Sequence, residues 1–439
     1  MTSATVAPAI APGQRLWRWQ IATVTALLLG YTGYYLCRSD LSVATPLLVA
    51  QSDVLGLDRS KIGAIQSIGV LFYAIGKLLG GVLGDFVGGR RMFLIGLFGA
   101  VAATIVFGAA STVLLFTIAW ASNRLLQSGG WSGIVKIVSC WFPARRYGTV
   151  MAIISLSFLF GDATGRYLLG RLIAHGLDWR GLFFTAAMLL ALIGVIDVAI
   201  LRSSPRDRGF EEPEISVRNV YGGRGDARAP DSLSDLLLPY FRSPSFWCVC
   251  AISFGLTLVR EALNTWIPSY LVDVHHLTVS DAAQYSAMFP FVGGVATLAA
   301  GWTSDRAGGD RAIALVPCLA LCMISLAALA AASRDASPGL AMVAIASVAF
   351  WLLGPYSLLA GAIALDVGGR RGSATAAGLI DTAGYAGAVL SGYGVSRLVD
   401  HYGWDNAFLG FAAVVGGAMI AAFVYWRRER SGAPARAAA

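Results

Sequence analysis

The chain has 439 residues, of which 56% are hydrophobic and only 13% are charged, and its formal net charge is +8. A soluble domain carries about 25% charged residues, so this composition excludes an ordinary soluble protein. Apolar runs of about 20 residues, long enough to cross a bilayer, recur along the whole chain and predict a polytopic helical membrane protein.

Twelve apolar segments predict twelve transmembrane helices. In chain order they are 17–50, 61–86, 92–110, 112–142, 148–174, 181–201, 246–272, 282–304, 312–332, 338–366, 372–397 and 403–426. The charged stretch 202–245 contains several Gly and Pro residues without apolar periodicity, and it predicts a linker between two six-helix bundles. Residues 1–16 and 427–439 are then the terminal segments. The first apolar run is too long for a cleavable signal peptide.

Basic residues concentrate in the N-terminus, in every second loop and in the C-terminus. By the positive-inside bias, we expect both termini and the linker in the cytoplasm of a protein that spans the cell (inner) membrane. This distribution explains the net charge without a nucleic-acid partner, and it leaves a polybasic contact with lipid as a secondary role.

The two predicted bundles repeat each other. Four landmarks recur at an offset of 220 to 225 residues: Arg38 and Arg260, Leu83-Gly84-Asp85 and Thr303-Ser304-Asp305, Arg145-Arg146 and Arg370-Arg371, Trp179-x-x-x-Phe183 and Trp404-x-x-x-Phe408. They indicate a duplicated six-helix unit. Such repeats place the substrate site near the membrane midplane, between the halves.

Arg38 and Arg260 each lie inside an apolar segment, and each is followed eight positions later by a proline. A guanidinium cannot lose its proton, and placing it at membrane depth costs at least several kcal/mol. We therefore expect Arg38 and Arg260 to face a shared cavity and bind an anion, because their planar forks match phosphate oxygens. The alternative is that each pairs with a neighbouring carboxylate, Asp40 or Glu261, in a neutral structural pair.

Only three lysines occur, and two of them, Lys77 and Lys136, lie inside predicted spans. We predict Lys77 as a third ligand of the anion, with a salt bridge to Asp381 as the alternative. Lys136 is expected to extend toward the membrane interface. Asp381 stands alone in an apolar helix, where it could balance Lys77, carry a proton or form a plain inter-helix hydrogen bond.

Tyrosines and loop charges complete the predicted site. Seven aromatic residues fall in spans expected to line the cavity: Tyr34, Tyr35, Tyr73, Trp131, Trp266, Tyr270 and Tyr356. Tyr35 and Tyr270 are the two selected as binding residues, and ordinary packing or a place in an interfacial belt is the alternative for each. The gating residues are expected to form cytoplasmic latches that hold one access state: Asp85, Arg90, Arg91 and Asp305. The cysteines and histidines show no metal-ligand spacing, so we predict no metal and no cofactor, and disulfides are unexpected.

The segment Gly80–Arg91 resembles the loop signature between helices 2 and 3 of the major facilitator superfamily, with Phe86 where an arginine is usual. Asn123-Arg124 with Gly130 resembles the superfamily's helix-4 signature. The resemblance implies an all-α membrane fold of twelve helices in two pseudo-symmetric six-helix bundles.

Within that superfamily the chain resembles the organophosphate:phosphate antiporters, which exchange glycerol phosphate, hexose phosphate or other sugar phosphates. The matching pieces are Tyr34-Tyr35-Leu36-Cys37-Arg38, Gly76-Lys77, Gln127-x-x-Gly130-Trp131, Lys136, Trp141-Phe142, Arg260 with Trp266-x-Pro268-x-Tyr270-Leu271, and Leu379-Ile380-Asp381-x-x-Gly384. The resemblance implies binding roles for Arg38, Arg260 and Lys77. Two departures are Ser157, where the bacterial glycerol-phosphate exchangers carry a functional histidine, and Asp40, where asparagine is common.

These observations predict a monomeric secondary transporter that exchanges an organic phosphate for inorganic phosphate by alternating access. One alternative is a proton-coupled symporter of another organic anion, such as a carboxylate, with Asp381, Glu261 or Asp40 as the proton site. Another is a sensor that binds sugar phosphate without transporting it. An enzyme is not expected, because no nucleophile–base pair, metal cluster or nucleotide loop is visible in the sequence.

Overall fold

A computed structural model describes residues 12–222, 225, 229–335 and 338–437 of the chain. Across these ranges the regular structure is helical, which confirms the predicted all-α class. Eight continuous helical runs among the described residues are long and apolar enough to cross a membrane.

The first half of the chain forms α1 to α7. Their bounds are α1 Pro12–Ala50, α2 Ser52–Leu55, α3 Arg59–Val87, α4 Gly89–Ala109, α5 Val113–Trp141, α6 Tyr147–Ala174 and α7 Trp179–Ile200. Side-chain caps fix the start of several helices, because an Asp or Thr oxygen accepts a hydrogen bond from a free backbone N–H of the first turn. Asp58 accepts from the Lys61 amide at 2.8 Å, and Asp178 accepts from the Gly181 amide at 2.9 Å. Between α3 and α4, Gly88 adopts a φ of 91°, which lets the chain turn.

The linker is more structured than its composition predicts. It contains α8, Leu233–Phe241, which buries Leu236 and Tyr240 one helical turn apart. The Tyr240 hydroxyl donates to the Gly372 carbonyl at 2.6 Å, and the Tyr221 hydroxyl donates to the Leu236 carbonyl at 2.7 Å. Burial raises the pKa of both Tyr221 and Tyr240, so both hydroxyls remain protonated donors. The expectation that this stretch lacks apolar periodicity is therefore wrong for α8. A helix of nine residues is too short for its apolar repeat to be clear in the sequence.

The second half forms α9 to α15. Their bounds are α9 Pro244–His275, α10 Val279–Ser286, α11 Met288–Arg306, α12 Arg311–Asp335, α13 Pro338–Leu358, α14 Ala364–Ala388 and α15 Tyr393–Ala437. A short π-helix, Leu359–Ile363, joins α13 to α14. Two glycines with left-handed φ break the last helices: Gly369 at 56° in α14 and Gly403 at 80° in α15. These breaks fall beside the predicted helix boundaries at 372 and 403.

The halves contact each other where α3 meets α14 and where α6 meets α11. At the first crossing, a Cβ on Gly378 would lie 2.8 Å from the Cα of Gly81. At the second, a Cβ on Gly148 would overlap the Gly301 carbonyl oxygen. Only small residues permit such close helix approach.

One end of the bundle is marked by the linker, and we call it the linker side. The Trp141 indole at the end of α5 donates to the Arg202 carbonyl at 3.0 Å, and Arg218 donates to the Gly309 carbonyl at 2.6 Å. The ends of α3, α5 and α11 and the start of α6 all lie on this side.

Candidate functional site

A cavity lies between the two halves at the middle of their helices. Its lining includes Tyr31, Tyr35, Arg38, Tyr73, Lys77, Trp131, Ser155 and Phe158 from the first half, and Ser253, Arg260, Tyr356, Ser357, Leu359, Ala360, Asp381 and Tyr385 from the second. The structure thus brings together five residues predicted from sequence: Tyr35, Arg38, Lys77, Arg260 and Asp381. Residues far apart in the chain meet because helices of its first half face helices of its second half.

Arg38 is held by neutral groups. Its Nη1 donates to the Tyr35 hydroxyl at 3.1 Å and its Nε to the Gln127 amide oxygen at 3.3 Å. The guanidinium carbon lies 4.6 Å from the ring centres of both Tyr35 and Tyr73. Its Nη2 is buried and has no hydrogen-bond partner among the described residues. Arg38 therefore keeps a full, uncompensated charge and an unused donor.

Asp40 does not pair with Arg38, so the structural-pair alternative is wrong for this arginine. The chain leaves helical geometry at Cys37, and Asp40 is fully buried outside the cavity lining. One carboxylate oxygen accepts from the Leu41 amide at 2.6 Å. Asp40 was predicted as a coupling residue, but it does not line this cavity.

Arg260 differs from Arg38 because it has an acidic neighbour. Its Nη2 donates to Glu261, as the structural-pair alternative predicts. The guanidinium carbon also lies 4.5 Å from the Tyr356 ring centre, and its Nε is buried without a described partner. Glu261 is absent from the cavity lining. Glu261 therefore partly neutralises the charge of Arg260, and the Nε of Arg260 remains available as a donor at the cavity.

Lys77 and Asp381 form an ion pair between the halves, with the Lys77 ammonium 2.6 Å from the Asp381 carboxylate. The two side chains are only 5% and 14% exposed. This is the salt bridge considered as the alternative role of Lys77, and it is also the charge balance considered for Asp381. Of the three carboxylates predicted for coupling, Asp381 is the one that lines the cavity.

Tyr73 lies in a span expected to line the cavity but was not selected as a binding residue, and three cations surround its ring. The ring centre lies 4.6 Å from Arg38, 4.7 Å from Arg124 and 5.2 Å from Lys77. It also meets Tyr385 of the other half at a ring-centre distance of 5.4 Å. The spacing of four residues between Tyr73 and Lys77 places both on one helix face, and that signal could have identified it.

The cavity carries a net positive charge. Arg38, Lys77 and Arg260 line it against a single carboxylate, Asp381, which gives a formal charge of +2. Unpaired charge at membrane depth is costly unless a counter-ion is supplied. Spare guanidinium donors beside neutral tyrosine and serine hydroxyls suit a dianion with several acceptor oxygens.

Tyr270 lies elsewhere, contrary to its predicted role in the cavity. It is fully buried among aromatic side chains, 4.9 Å from Phe408 and 5.6 Å from Trp404 by ring centres, and its hydroxyl contacts His275 at 3.0 Å. The sequence placed it on the correct helix, but its face of α9 packs against α15 instead of the cavity.

Asp85 and Asp305 occupy equivalent positions on the linker side. Asp85, at the end of α3, accepts from the amides of Thr375 at 2.7 Å and Ala374 at 3.4 Å in the other half. Asp305, at the end of α11, accepts from the amides of Thr149 at 2.7 Å and Gly148 at 2.9 Å. Each carboxylate thus binds free N–H groups across the interface, and these bonds close the linker side.

The cations that assist these carboxylates differ from the predicted ones. Lys136 lies 2.8 Å from Asp85 and also donates to the Arg370 carbonyl, so its expected extension toward the interface is wrong. Arg311 lies 3.2 Å from Asp305. Arg90 instead donates to the Val198 and Leu201 carbonyls of its own half, and Arg91 is exposed.

Two further positions lie outside the cavity lining. Arg166 and Asp162, four residues apart on α6, form an ion pair with a separation of 2.9 Å. Ser157, at the position of the histidine in glycerol-phosphate exchangers, is buried and donates to the Ile154 carbonyl, outside the cavity lining. Within the described ranges, no group of three His, Cys, Asp or Glu residues could hold a metal ion.

Comparison with known proteins extends over nearly the whole chain. The family model of the Major Facilitator Superfamily matches residues 27–392. A probable hexose phosphate transport protein of Chlamydia pneumoniae is 26% identical over 423 residues, covering 93% of this chain and 91% of that protein. A glycerol-3-phosphate transporter of Bacillus subtilis is 25% identical over 401 residues, covering 89% of each.

Among solved structures, a Major Facilitator Superfamily transporter, FucP, in the outward conformation superposes with a TM-score of 0.72 at 14% sequence identity. The superposition covers 93% of this chain and 99% of that one. At this identity the likeness shows that the two proteins share a fold.

Proposed function

This chain belongs to the Major Facilitator Superfamily and is a multi-pass membrane protein, and from that premise we propose that it transports an organic phosphate in exchange for inorganic phosphate. Two relatives that match it over about nine-tenths of its length are named for hexose phosphate and glycerol-3-phosphate transport. The substrates in those two names are both phosphate monoesters, which is the chemistry that the cavity suits.

The observation that carries the proposal is the pair of arginines from opposite halves at one cavity. Arg38 and Arg260 each have a buried guanidinium nitrogen without a described partner. A buried donor left unsatisfied costs about 1–3 kcal/mol, and more when it is charged. Phosphate oxygens between the two forks would satisfy both donors, and the anion's negative charge would offset the positive charge of the cavity.

The same charges give a reason for exchange. With the cavity empty, facing cations repel each other, and Asp381 offsets only part of that repulsion through Lys77. Conversion between access states requires the halves to rock around the site. A bound phosphate dianion removes the repulsion and permits the conversion, so the protein returns mainly when loaded. In this mechanism Tyr35 orients Arg38, and Asp381 holds Lys77 until phosphate takes its place.

The membrane arrangement that we propose has twelve spans. The eight apolar helices include one run, Pro338–Ser391, that holds both α13 and α14. If α13 and α14 are counted separately and α1, α5 and α11 are added, each half has six spans. The two bundles then occupy residues 17–201 and 246–426, and the linker 202–245 joins them. We further propose a monomer in the cell (inner) membrane with both termini and the linker side in the cytoplasm, because the exposed basic residues favour that side.

The test uses purified protein in liposomes loaded with inorganic phosphate and challenged with a panel of organophosphates and carboxylates. Uptake of a phosphate monoester that requires internal phosphate would support the proposal. Uptake of a carboxylate driven by a pH gradient without internal phosphate would favour proton symport instead. Saturable binding of sugar phosphate without flux would indicate a sensor.

A further inference from the structure

Two basic pairs that are equivalent by the repeat have opposite surroundings on the linker side. Arg370 and Arg371, at the start of the second part of α14, are each only 3% exposed. The linker covers them with carboxylates: Glu212 lies 3.6 Å from Arg370, and Asp231 lies 2.9 Å from Arg371. In the second half, the protein itself supplies the counter-charge for the basic pair.

Arg145 and Arg146 are the counterparts in the first half, and both are exposed. No described carboxylate forms an ion pair with either side chain. Arg306, at the end of α11, is also exposed, and its guanidinium carbon lies 3.8 Å above the Trp302 ring. All three arginines line one groove on the linker side.

These three arginines rim a groove on the outer surface of the bundle. Its floor is apolar, with Ile21 and Val24 from α1 and Val150 and Ile153 from α6, and Trp302 of α11 forms the opposite wall. Asp305 also borders the groove, but its carboxylate is bound to the Gly148 and Thr149 amides and to Arg311. The groove thus joins a row of apolar side chains to three arginines that form no ion pair with a described carboxylate.

We propose that this groove binds an anionic phospholipid, with its headgroup phosphate among Arg145, Arg146 and Arg306 and an acyl chain along Ile21 and Ile153. The cationic rim complements an anionic headgroup, and Trp302 has the amphipathic character of residues that lie at the lipid interface. A free anion would satisfy the arginines and leave the apolar floor uncovered. A lipid covers both.

The two walls of the groove belong to different halves, α1 and α6 on one side and α11 on the other. They come together in this arrangement because Asp305 joins the end of α11 to the start of α6. A lipid that bridges the walls stabilises the state in which the linker side is closed. The linker performs the equivalent function at Arg370 and Arg371.

The test is native mass spectrometry of the full chain with phosphatidylglycerol and phosphatidylcholine. Wild-type protein is expected to retain phosphatidylglycerol selectively. A basic residue near an anionic headgroup strengthens lipid binding. Loss of both charges in the double variant R145Q/R146Q should therefore weaken phosphatidylglycerol binding about thirtyfold. R145K/R146K, which keeps the charge, should retain most binding, and R427Q/R428Q, an exposed pair outside the groove, should bind like wild type. Equal retention by R145Q/R146Q, or an equal loss in the control pair, would overturn the proposal.

A second measurement needs no arginine variant. Phosphatidylglycerol with brominated acyl chains should quench tryptophan fluorescence saturably in a phosphatidylcholine background. W302F should lose part of that quenching, whereas W247F, which removes a tryptophan of similar exposure on α9, should keep it. Excess inorganic phosphate should leave the quenching unchanged. Displacement by phosphate, or equal loss in W302F and W247F, would exclude a lipid at this groove.

Discussion

The two halves use the same device on the linker side, but with different partners. Asp85 of the first half and Asp305 of the second each bind the N-terminal amides of a helix in the opposite half. Asp85 is assisted by Lys136, whereas Asp305 is assisted by Arg311, which also binds Asp366. The geometry of carboxylate and helix is thus the same in the two halves, while the supporting cation differs.

The same comparison holds at the cavity. Arg38 is supported by neutral oxygens of Tyr35 and Gln127, and Arg260 is supported by the carboxylate of Glu261. Arg38 therefore contributes a full charge to the cavity and Arg260 a reduced one. Symmetry of position does not imply symmetry of charge.

The largest effect is expected from Arg38→Gln. Removing an uncompensated cation should lower labelled-phosphate exchange in proteoliposomes by at least about a hundredfold, because charge-assisted contacts of this kind contribute several kcal/mol. Arg260→Gln should impair exchange too, and R260Q/E261Q should recover part of it, since the stranded carboxylate is gone. R38Q/D40N should recover none. Rescue by D40N would show that Asp40 acts on Arg38.

Lys77 and Asp381 test the bond between the halves. Removing one partner of a buried ion pair destabilises by about 3–5 kcal/mol, because the other charge is left without compensation. Lys77→Met and Asp381→Asn should each lower the melting temperature in detergent, and the double variant should regain most of the loss. Exchange should remain absent in the double variant. Additive losses in this cycle would mean that the pair is not coupled.

Asp85→Asn and Asp305→Asn compare the two linker-side contacts. Asp85→Asn removes the carboxylate facing buried Lys136, and should destabilise the closed linker side by about 2–4 kcal/mol. Asp305→Asn should destabilise the closed linker side by about 1–2 kcal/mol less than Asp85→Asn does, because Arg311 still has its ion pair with Asp366. Distances between spin labels on the linker-side ends of α6 and α11, and of α3 and α14, would measure the opening. A larger opening in Asp305→Asn would reverse the comparison.

The smallest effect is expected at the tyrosines. Tyr35→Phe removes the hydrogen bond to Arg38 and should weaken phosphate binding by about tenfold. Tyr270→Phe serves as the matched control on α9, and should leave the KM for phosphate exchange unchanged because Tyr270 packs outside the cavity. Equal shifts in both variants would mean that the aromatic cluster, and not the cavity contact, governs affinity.

Much of the site was predictable because charge inside an apolar span stands out in the sequence. Arg38, Lys77, Arg260 and Asp381 were found in this way, and all line the cavity. Tyr270 and Lys136 were misplaced because sequence assigns a residue to a helix but not to a helix face. Successive residues differ by about 100° around the axis, so a modest rotation exchanges a cavity position for a packing position.

The sequence by itself determined the membrane class, the family resemblance and the intramembrane charges. It could do so because hydrocarbon admits only apolar segments whose backbone is bonded internally, and every exception is visible. Only the tertiary structure decided which partner each charge meets. Lys77 with Asp381, Lys136 with Asp85 and Arg371 with Asp235 join distant parts of the chain, and these pairings depend on how two bundles and a linker pack together.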